Sequence, residues 1–180
     1  AGAATPRVRL SAGVTFSSVG DLSTPGALGI LSPSSWSSRA IDGRVDFRLR
    51  QRDILTLSYQ EQNVAGAQSY DISFTRPIVT DRERRLAQLR YESFSPFAGV
   101  RRLQAWAYVQ QQQDYTRNQS DGSETSTKVL SLSADAQASS RPASALWLTY
   151  GLHLHGDIAQ SVNSSAGVSR SRGFPDSTFV

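Results

Sequence analysis

Leu146-Trp147-Leu148-Thr149-Tyr150-Gly151-Leu152-His153-Leu154-His155 alternates over ten residues. Leu146, Leu148, Tyr150, Leu152 and Leu154 take every second position, and Trp147, Thr149, Gly151, His153 and His155 take the others. A period of two belongs to the extended strand, whose successive side chains point to opposite faces. A helix would scatter the same leucines around its circumference. The stretch therefore reads as a strand with one greasy face and one largely polar face.

The pattern recurs on both sides of this stretch. Val8, Leu10, Ala12, Val14 and Phe16 alternate with Arg9, Ser11, Gly13 and Thr15. Val45, Phe47 and Leu49 alternate with arginines and Asp46, and Leu55, Leu57 and Tyr59 with Thr56 and Ser58. Ala87, Leu89 and Tyr91 interleave with Gln88 and Arg90, and Leu130, Leu132, Ala134 and Ala136 with Ser131, Ser133 and Asp135. From Leu103 to Gln110 the reading is two-sided, because Trp106 and Tyr108 face away from Leu103, Ala105, Ala107 and Val109. Helix signals are nearly absent. The pattern predicts seven strands over 7–18, 39–50, 54–65, 84–93, 102–115, 126–139 and 144–157, with an eighth beginning near Asp176. Such strands are longer than the usual five or six residues and suit a tilted span of about 9–11 residues.

Connections alternate in length. Gln51-Arg52-Asp53 is tight, 139–143 with Pro142 is short, and 93–101 with Pro96 and Gly99 is moderate. Between these fall segments 19–38, 66–83, 116–125 and 158–175, crowded with Gly, Ser, Pro, Asn and Asp as loops require. Short turns at one end and long loops at the other are the pattern of bacterial outer-membrane barrels. The expected architecture is all-β, an antiparallel up-and-down meander of 7–8 strands forming part of a transmembrane β-barrel. The greasy face would meet lipid and the polar face the lumen. A soluble antiparallel sheet with one buried face stands as the alternative.

Composition narrows the classes. The chain has 180 residues, enough for one domain or two small ones, with 38% hydrophobic residues and 13 glycines, an ordinary folded share. There is no Cys, which excludes a disulfide scaffold, a thiolate zinc site and a Cys nucleophile. No apolar run exceeds the six residues from Gly26 to Leu31, well short of the ~20 of a membrane helix. The opening Ala-Gly-Ala-Ala-Thr-Pro carries no initiator Met, basic n-region or apolar h-region, which reads as a processed chain or a piece of a longer one. The net charge is +4, and of 19 basic residues only Lys128 is not Arg. Arg7, Arg44, Arg76, Arg101, Arg141 and Arg172 are spread along the chain with acids between them, so no nucleic-acid partner is expected.

The ordered series from Gly20-Asp21-Leu22 through Ile54 to Gln60, Arg84 to Glu92 and Ala107 to Gln112 as far as Arg172 to Thr178 resembles TonB-dependent outer-membrane receptors, especially the branch of cobalamin, haem and colicin receptors. Gly20-Asp21-Leu22, Ser32-Pro33-Ser34-Ser35-Trp36 and Ala40-Ile41-Asp42-Gly43 look like that family's loop and following strand. Ile54-Leu55-Thr56-Leu57-Ser58-Tyr59-Gln60 is similar to its LTLxYQ strand, and Arg84-Arg85-Leu86-Ala87-Gln88-Leu89-Arg90-Tyr91-Glu92 to its RRxLAxLRYE strand. Ala107-Tyr108-Val109-Gln110-Gln111-Gln112, Leu148-Thr149-Tyr150-Gly151-Leu152 and Arg172-Gly173-Phe174-Pro175-Asp176-Ser177-Thr178 continue the series. At Ala67-Gln68-Ser69-Tyr70-Asp71 the chain departs from the Pro-Arg pair of many relatives.

The resemblance implies a 22-strand barrel with an amino-terminal plug and a TonB box. Neither is visible in 1–180, which reads as an internal segment of the barrel domain. It implies uptake of a scarce bulky nutrient of the iron-chelate, haem or cobalamin class. The implied location is the bacterial outer membrane. Implied partners are outer-membrane lipid and lipopolysaccharide, the plug and remaining strands, the TonB complex and a small-molecule ligand. A passive porin or small structural barrel, and a soluble carbohydrate-binding β-domain, are the alternatives.

Candidate ligand contacts follow from the polar positions. His153 and His155 share one strand face and offer imidazole to haem or metal; the other reading is a pair of wet polar residues. No third donor has the spacing of a closed zinc site. Arg44, Arg48 and Arg90 line polar faces and can grip carboxylate or phosphate with two hydrogen bonds, or pair with plug and neighbouring strands. Tyr115 and Arg117 stand at a strand end and loop able to contact ligand or simply to be solvated. Trp36, Tyr59, Tyr91, Trp106, Trp147 and Tyr150 are candidates for interfacial girdles. With no G-x-S-x-G, no Walker loop, no G-x-G-x-x-G and both His on one strand, neither an enzyme nor a cofactor is expected.

Overall fold

The computed structural model describes residues 1–23, 30–31, 34–70, 77–165, 168–173 and 177–179. Every element among them is a strand. In chain order they are β1 (Gly2–Ala4), β2 (Val8–Val19), β3 (Leu22–Ser23), β4 (Ile30–Leu31), β5 (Trp36–Arg50) and β6 (Asp53–Tyr70). There follow β7 (Pro77–Phe97), β8 (Val100–Asn118), β9 (Glu124–Ala143), β10 (Leu146–Ser165), β11 (Val168–Gly173) and β12 (Ser177–Phe179). One antiparallel sheet runs β1-β2-β5-β6-β7-β8-β9-β10-β11, with β12 also on β10, and β3 pairs with β4 apart from it. The meander is the expected one, in an open sheet.

The strands outrun the expected bounds. Segments 66–83, 116–125 and 158–175 were expected to be loops, yet β6 reaches Tyr70, β7 starts at Pro77, β8 and β9 leave only 119–123 between them, and β10 reaches Ser165. Polar cross-strand pairs hold these extensions. Arg82 Nε donates to Asp114 Oδ1 at 2.9 Å, Arg84 Nη2 to Gln110 Oε1 at 2.8 Å, and Arg117 Nη2 to Glu124 Oε1 at 2.7 Å. Strands polar on both faces carry no hydrophobic alternation, so a pattern keyed to apolar residues stops short of them. Residues 24–29, 32–33, 71–76, 166–167 and 174–176, with the expected eighth-strand start at Asp176, lie outside the described residues. The strand after β10 that is described begins at Val168.

Three two-residue links sit at one end of the sheet: 51–52, 98–99 and 144–145. The expected 93–101 connection contracts to Ala98-Gly99, where Gly99 takes φ of 85°, and the expected 139–143 link moves to Ser144-Ala145. Arg141 Nη2 caps the Ser144 carbonyl there at 2.5 Å. Register shifts cluster at this end, between Arg48/Arg50, Phe94/Phe97, Val100/Arg102 and Leu146/Leu148.

The register sorts the side chains into two faces. One row reads Val8, Phe47, Leu55, Tyr91, Ala105, Ala136, Leu152 across seven strands. The next reads Leu10, Val45, Leu57, Leu89, Ala107, Ala134, Leu154, and the third Ala12, Gly43, Tyr59, Ala87, Val109, Leu132, Gly156. Three rows pass without one charge. This face is open: Leu152 is 59% exposed, Leu132 51% and Leu89 43%. Val100 is the single buried hydrophobic residue among those described. All substantial contacts run between strand neighbours, so no second layer covers the sheet among the described residues. Leu103 to Gln110 resolves with Trp106 and Tyr108 opposite the apolar face.

Candidate functional site

The opposite face is polar in every row. One row crosses seven strands as Arg9, Asp46, Thr56, Arg90, Trp106, Asp135, His153. Its neighbour reads Ser11, Arg44, Ser58, Gln88, Tyr108, Ser133, His155. Period two places every one of these side chains opposite the apolar band. Trp36 and Trp106 lie on this face and leave the girdle set, whereas Tyr59 and Tyr91 flank the apolar rows on the other.

Toward the two-residue turns this face becomes basic. A cleft of about 190 Å³ is lined by Arg7, Arg9, Arg44, Arg48 and Arg90 with Asp46 and Glu92. Asp46 Oδ1 accepts from Arg44 Nε at 2.9 Å and from Thr56 Oγ1 at 2.7 Å. Glu92 accepts from Arg90 Nη2 at 3.3 Å and from Arg102 Nε at 2.9 Å. Gln104, its amide oxygen turned toward them, accepts from both arginines, and Arg102 stacks over Phe94 at 5.4 Å. Of the residues expected to bind ligand, Arg44, Arg48 and Arg90 are thus brought together. Arg7 and Arg9 join them from β2 and the turn before it. Both fall in the expected 7–18 strand, but alternation alone does not say which strand lies alongside; the register with β5 brings Arg7 beside Arg48.

Across the same face, His153 Nδ1 lies 2.5 Å from Asp135 Oδ1 and His155 Nε2 lies 3.2 Å from Asp157 Oδ2. The two imidazoles stack at 6.1 Å between centroids. Each ring is oriented by its own carboxylate, and that contact decides which ring nitrogen is left free. Among the described residues no three His, Asp or Glu side chains converge on one metal position.

Tyr115 and Arg117 part from the others. They project on the side that carries Leu89 and Leu132, at the far end of β8 beyond the apolar rows, where β8 still pairs in unbroken register. Arg117 binds Glu124 across the 119–123 turn. Hydrogen bonds from the Tyr115 hydroxyl first, and then from Arg117, hold the Glu124 carboxyl below the usual glutamate range. The same bonds raise the Tyr115 and Arg117 values. This pair closes a hairpin end and does not meet the basic cleft.

A hollow of about 710 Å³ lies on the apolar face, where Ala87, Ala107, Ala134 and Gly156 leave room between Leu57, Leu89, Leu132 and Leu154. Its lining side chains offer almost nothing to orient a ligand, since binding sites combine apolar walls with a few placed polar groups. It is relief in a greasy surface, and the chemistry lies on the other side. No family model, curated protein or solved structure matches the chain.

Proposed function

We propose that the chain is wall of a transmembrane β-barrel in a bacterial outer membrane, within a TonB-dependent receptor that takes up a scarce bulky nutrient. The observation that carries the reading is the apolar face: seven strands wide, free of charge for three rows, and covered by nothing among the described residues. Water tolerates single exposed leucines, but a continuous apolar patch of this extent calls for another apolar phase. On β10 the apolar side runs from Leu148 to Ile158. That is about 33 Å of strand at ~3.3 Å per residue. Tilted by ~40°, it spans about 25 Å, the height of an outer-membrane barrel's lipid band. Tyr59 on one flank and Tyr91 and Tyr150 on the other suit the girdles of such a band. The backbone ladders run from strand to strand across the sheet, interrupted at the register shifts and open at its edges, the kind of internal pairing a bilayer favours.

The receptor assignment rests on the ordered motifs that resemble that family. In this reading lipid and lipopolysaccharide meet the apolar face, and the plug, the ligand or both meet the arginines and histidines of the polar face. Iron chelates, haem and cobalamin are the ligand classes. A passive porin shares the wall but not the energy coupling. A soluble carbohydrate-binding domain needs a second sheet over the apolar face.

Residues 1–180 contain no Cys, so a cysteine introduced among them is the one thiol of this segment, and its labelling is read against the unsubstituted intact protein. In outer-membrane preparations of the intact protein, Gln88→Cys and Ser131→Cys should react with a water-soluble maleimide. Leu89→Cys and Leu132→Cys should react only after detergent extraction and unfolding. Equal labelling of both sets in membranes would end the barrel-wall reading. Growth on a limiting ferric chelate, haem or cobalamin separates receptor from porin: uptake should stop when TonB is deleted, and uptake that persists unchanged means a passive pore.

A further inference from the structure

The basic cleft contains an arrangement that costs the sheet free energy unless something offsets it. The Arg48 amide donates to the Arg7 carbonyl at 2.8 Å, next to the pair Val8 and Phe47, so Arg7 and Arg48 stand directly opposite each other. Like charges at that spacing destabilise the ladder. Arg9, one pair further along, faces Asp46, and that carboxylate is already taken by Arg44 and Thr56. Glu92 is shared between Arg90 and Arg102. Asp46 and Glu92 line the same cleft but are ion-paired to Arg44, Arg90 and Arg102, so among the described residues Arg7, Arg9 and Arg48 make no ion pair of their own, and only Asp46 feels the charge of Arg9, at longer range.

We infer that Arg7, Arg9 and Arg48 form a binding site for a small multivalent oxyanion, phosphate or a polycarboxylate. Planar guanidiniums present paired donors that match such oxygens, and an anion between them turns a repulsive cross-strand pair into a bridged one. The cleft, about 190 Å³, admits one such group. Position supports the assignment. The hairpin of β1 and β2 sets Arg7: Thr5 N donates to the Val8 carbonyl at 2.7 Å, Val8 N donates to Thr5 Oγ1 at 3.0 Å, and Pro6 fixes the turn between them. The guanidinium thus comes from a pinned turn beside a strand pair, which lowers the ordering cost of binding. This inference deepens the reading of the polar face as the ligand-bearing one. Its test uses purified protein, so its failure leaves the maleimide pattern untouched, and the reverse.

The probes are inorganic phosphate and citrate, titrated at low ionic strength into the intact protein in detergent, with binding followed calorimetrically and by the thermal midpoint. Both anions should bind and raise the midpoint. Arg7→Gln/Arg48→Gln should weaken binding by about tenfold or more, the loss expected from a charge-assisted hydrogen bond. Without anion the double variant should melt above the parent, because a like-charge pair has been removed; with saturating phosphate the order should invert. Arg9→Gln should weaken binding on its own, and Lys128→Gln, at the far end of β9 between Gln113 and Gln160, should leave it unchanged. Absence of binding would overturn the site, as would equal loss in Lys128→Gln. A double variant that melts below the parent in anion-free buffer would also overturn it, for then an acidic segment already neutralises these arginines.

Discussion

Gly151 and Gly156 lie on one strand and respond oppositely to a methyl group. A Cβ at Gly151 would meet the Ala136 carbonyl oxygen at 2.6 Å, whereas one at Gly156 meets nothing within 4 Å. Gly151→Ala should therefore cost about 1–3 kcal/mol, the range for forced overpacking, and Gly156→Ala should be neutral or slightly stabilising. Reversible unfolding of the two variants in the intact protein checks this, and equal costs would refute it. Glu124 offers a second residue-scale test. Its carboxyl titrates below the ordinary value, first because of the Tyr115 hydroxyl and then Arg117. A depressed folded value means that its contribution is present above the unfolded pKa and is lost as pH falls through the folded one. Tyr115→Phe should raise the Glu124 midpoint toward the ordinary glutamate value, read from its carboxylate carbon shift by NMR. An unmoved midpoint would show that the hydroxyl is not the main cause.

At the scale of elements, legibility followed hydrophobic alternation. Where one face of a strand is greasy, as over Leu146–Leu154 or Val8–Phe16, the sequence predicts strand, face and neighbours, and the structure has them there. Where both faces are polar the signal vanishes, and the ends of β6 to β10 read as loops. Arg82 and Glu83 read as the end of a charged loop in one dimension; in register they stand opposite Asp114 and Gln113. These pairs are exposed, so each contributes only ~0.2–1 kcal/mol. Arg82→Ala should accordingly cost at most about 1 kcal/mol and leave the β7–β8 pairing intact by amide hydrogen exchange. Fast exchange throughout 78–83 would mean that the single pair, and not the ladder, holds the extension. The site followed the same logic. Alternation alone put Arg44, Arg48, Arg90, His153 and His155 on polar faces. That Arg7 and Arg9 stand beside them, and that Tyr115 and Arg117 do not, depends on cross-strand register and on counting an unbroken β8, which no local pattern supplies.

The whole molecule is a sheet with two chemistries and two open edges. On the outer side β10 has β12 against His155–Asp157 and β11 from Gln160 onward, which leaves Leu146–Leu154 without an outer neighbour among the described residues. β2 has β1 only along Arg9–Ser11. Open edges are where further strands add, and the barrel proposed above would close by pairing them. The choice between lipid and water outside it can be tested energetically. Leu132 lies in the charge-free rows and is half exposed, while Ser131, one residue away, faces the polar side near Gln110 and Asp157. In a bilayer Leu132→Arg should destabilise the intact protein by ~2–4 kcal/mol, the depth-dependent cost of a cation on a barrel's lipid face. Ser131→Arg should cost far less, because its guanidinium reaches water and the Asp157 carboxylate. If that surface were instead bathed in water, Leu132→Arg would be nearly free, since a half-exposed leucine gives up little on becoming charged. Unfolding titrations of both variants in lipid vesicles decide between the two. A cost for Leu132→Arg no larger than for Ser131→Arg would remove lipid from the apolar face and the membrane wall with it.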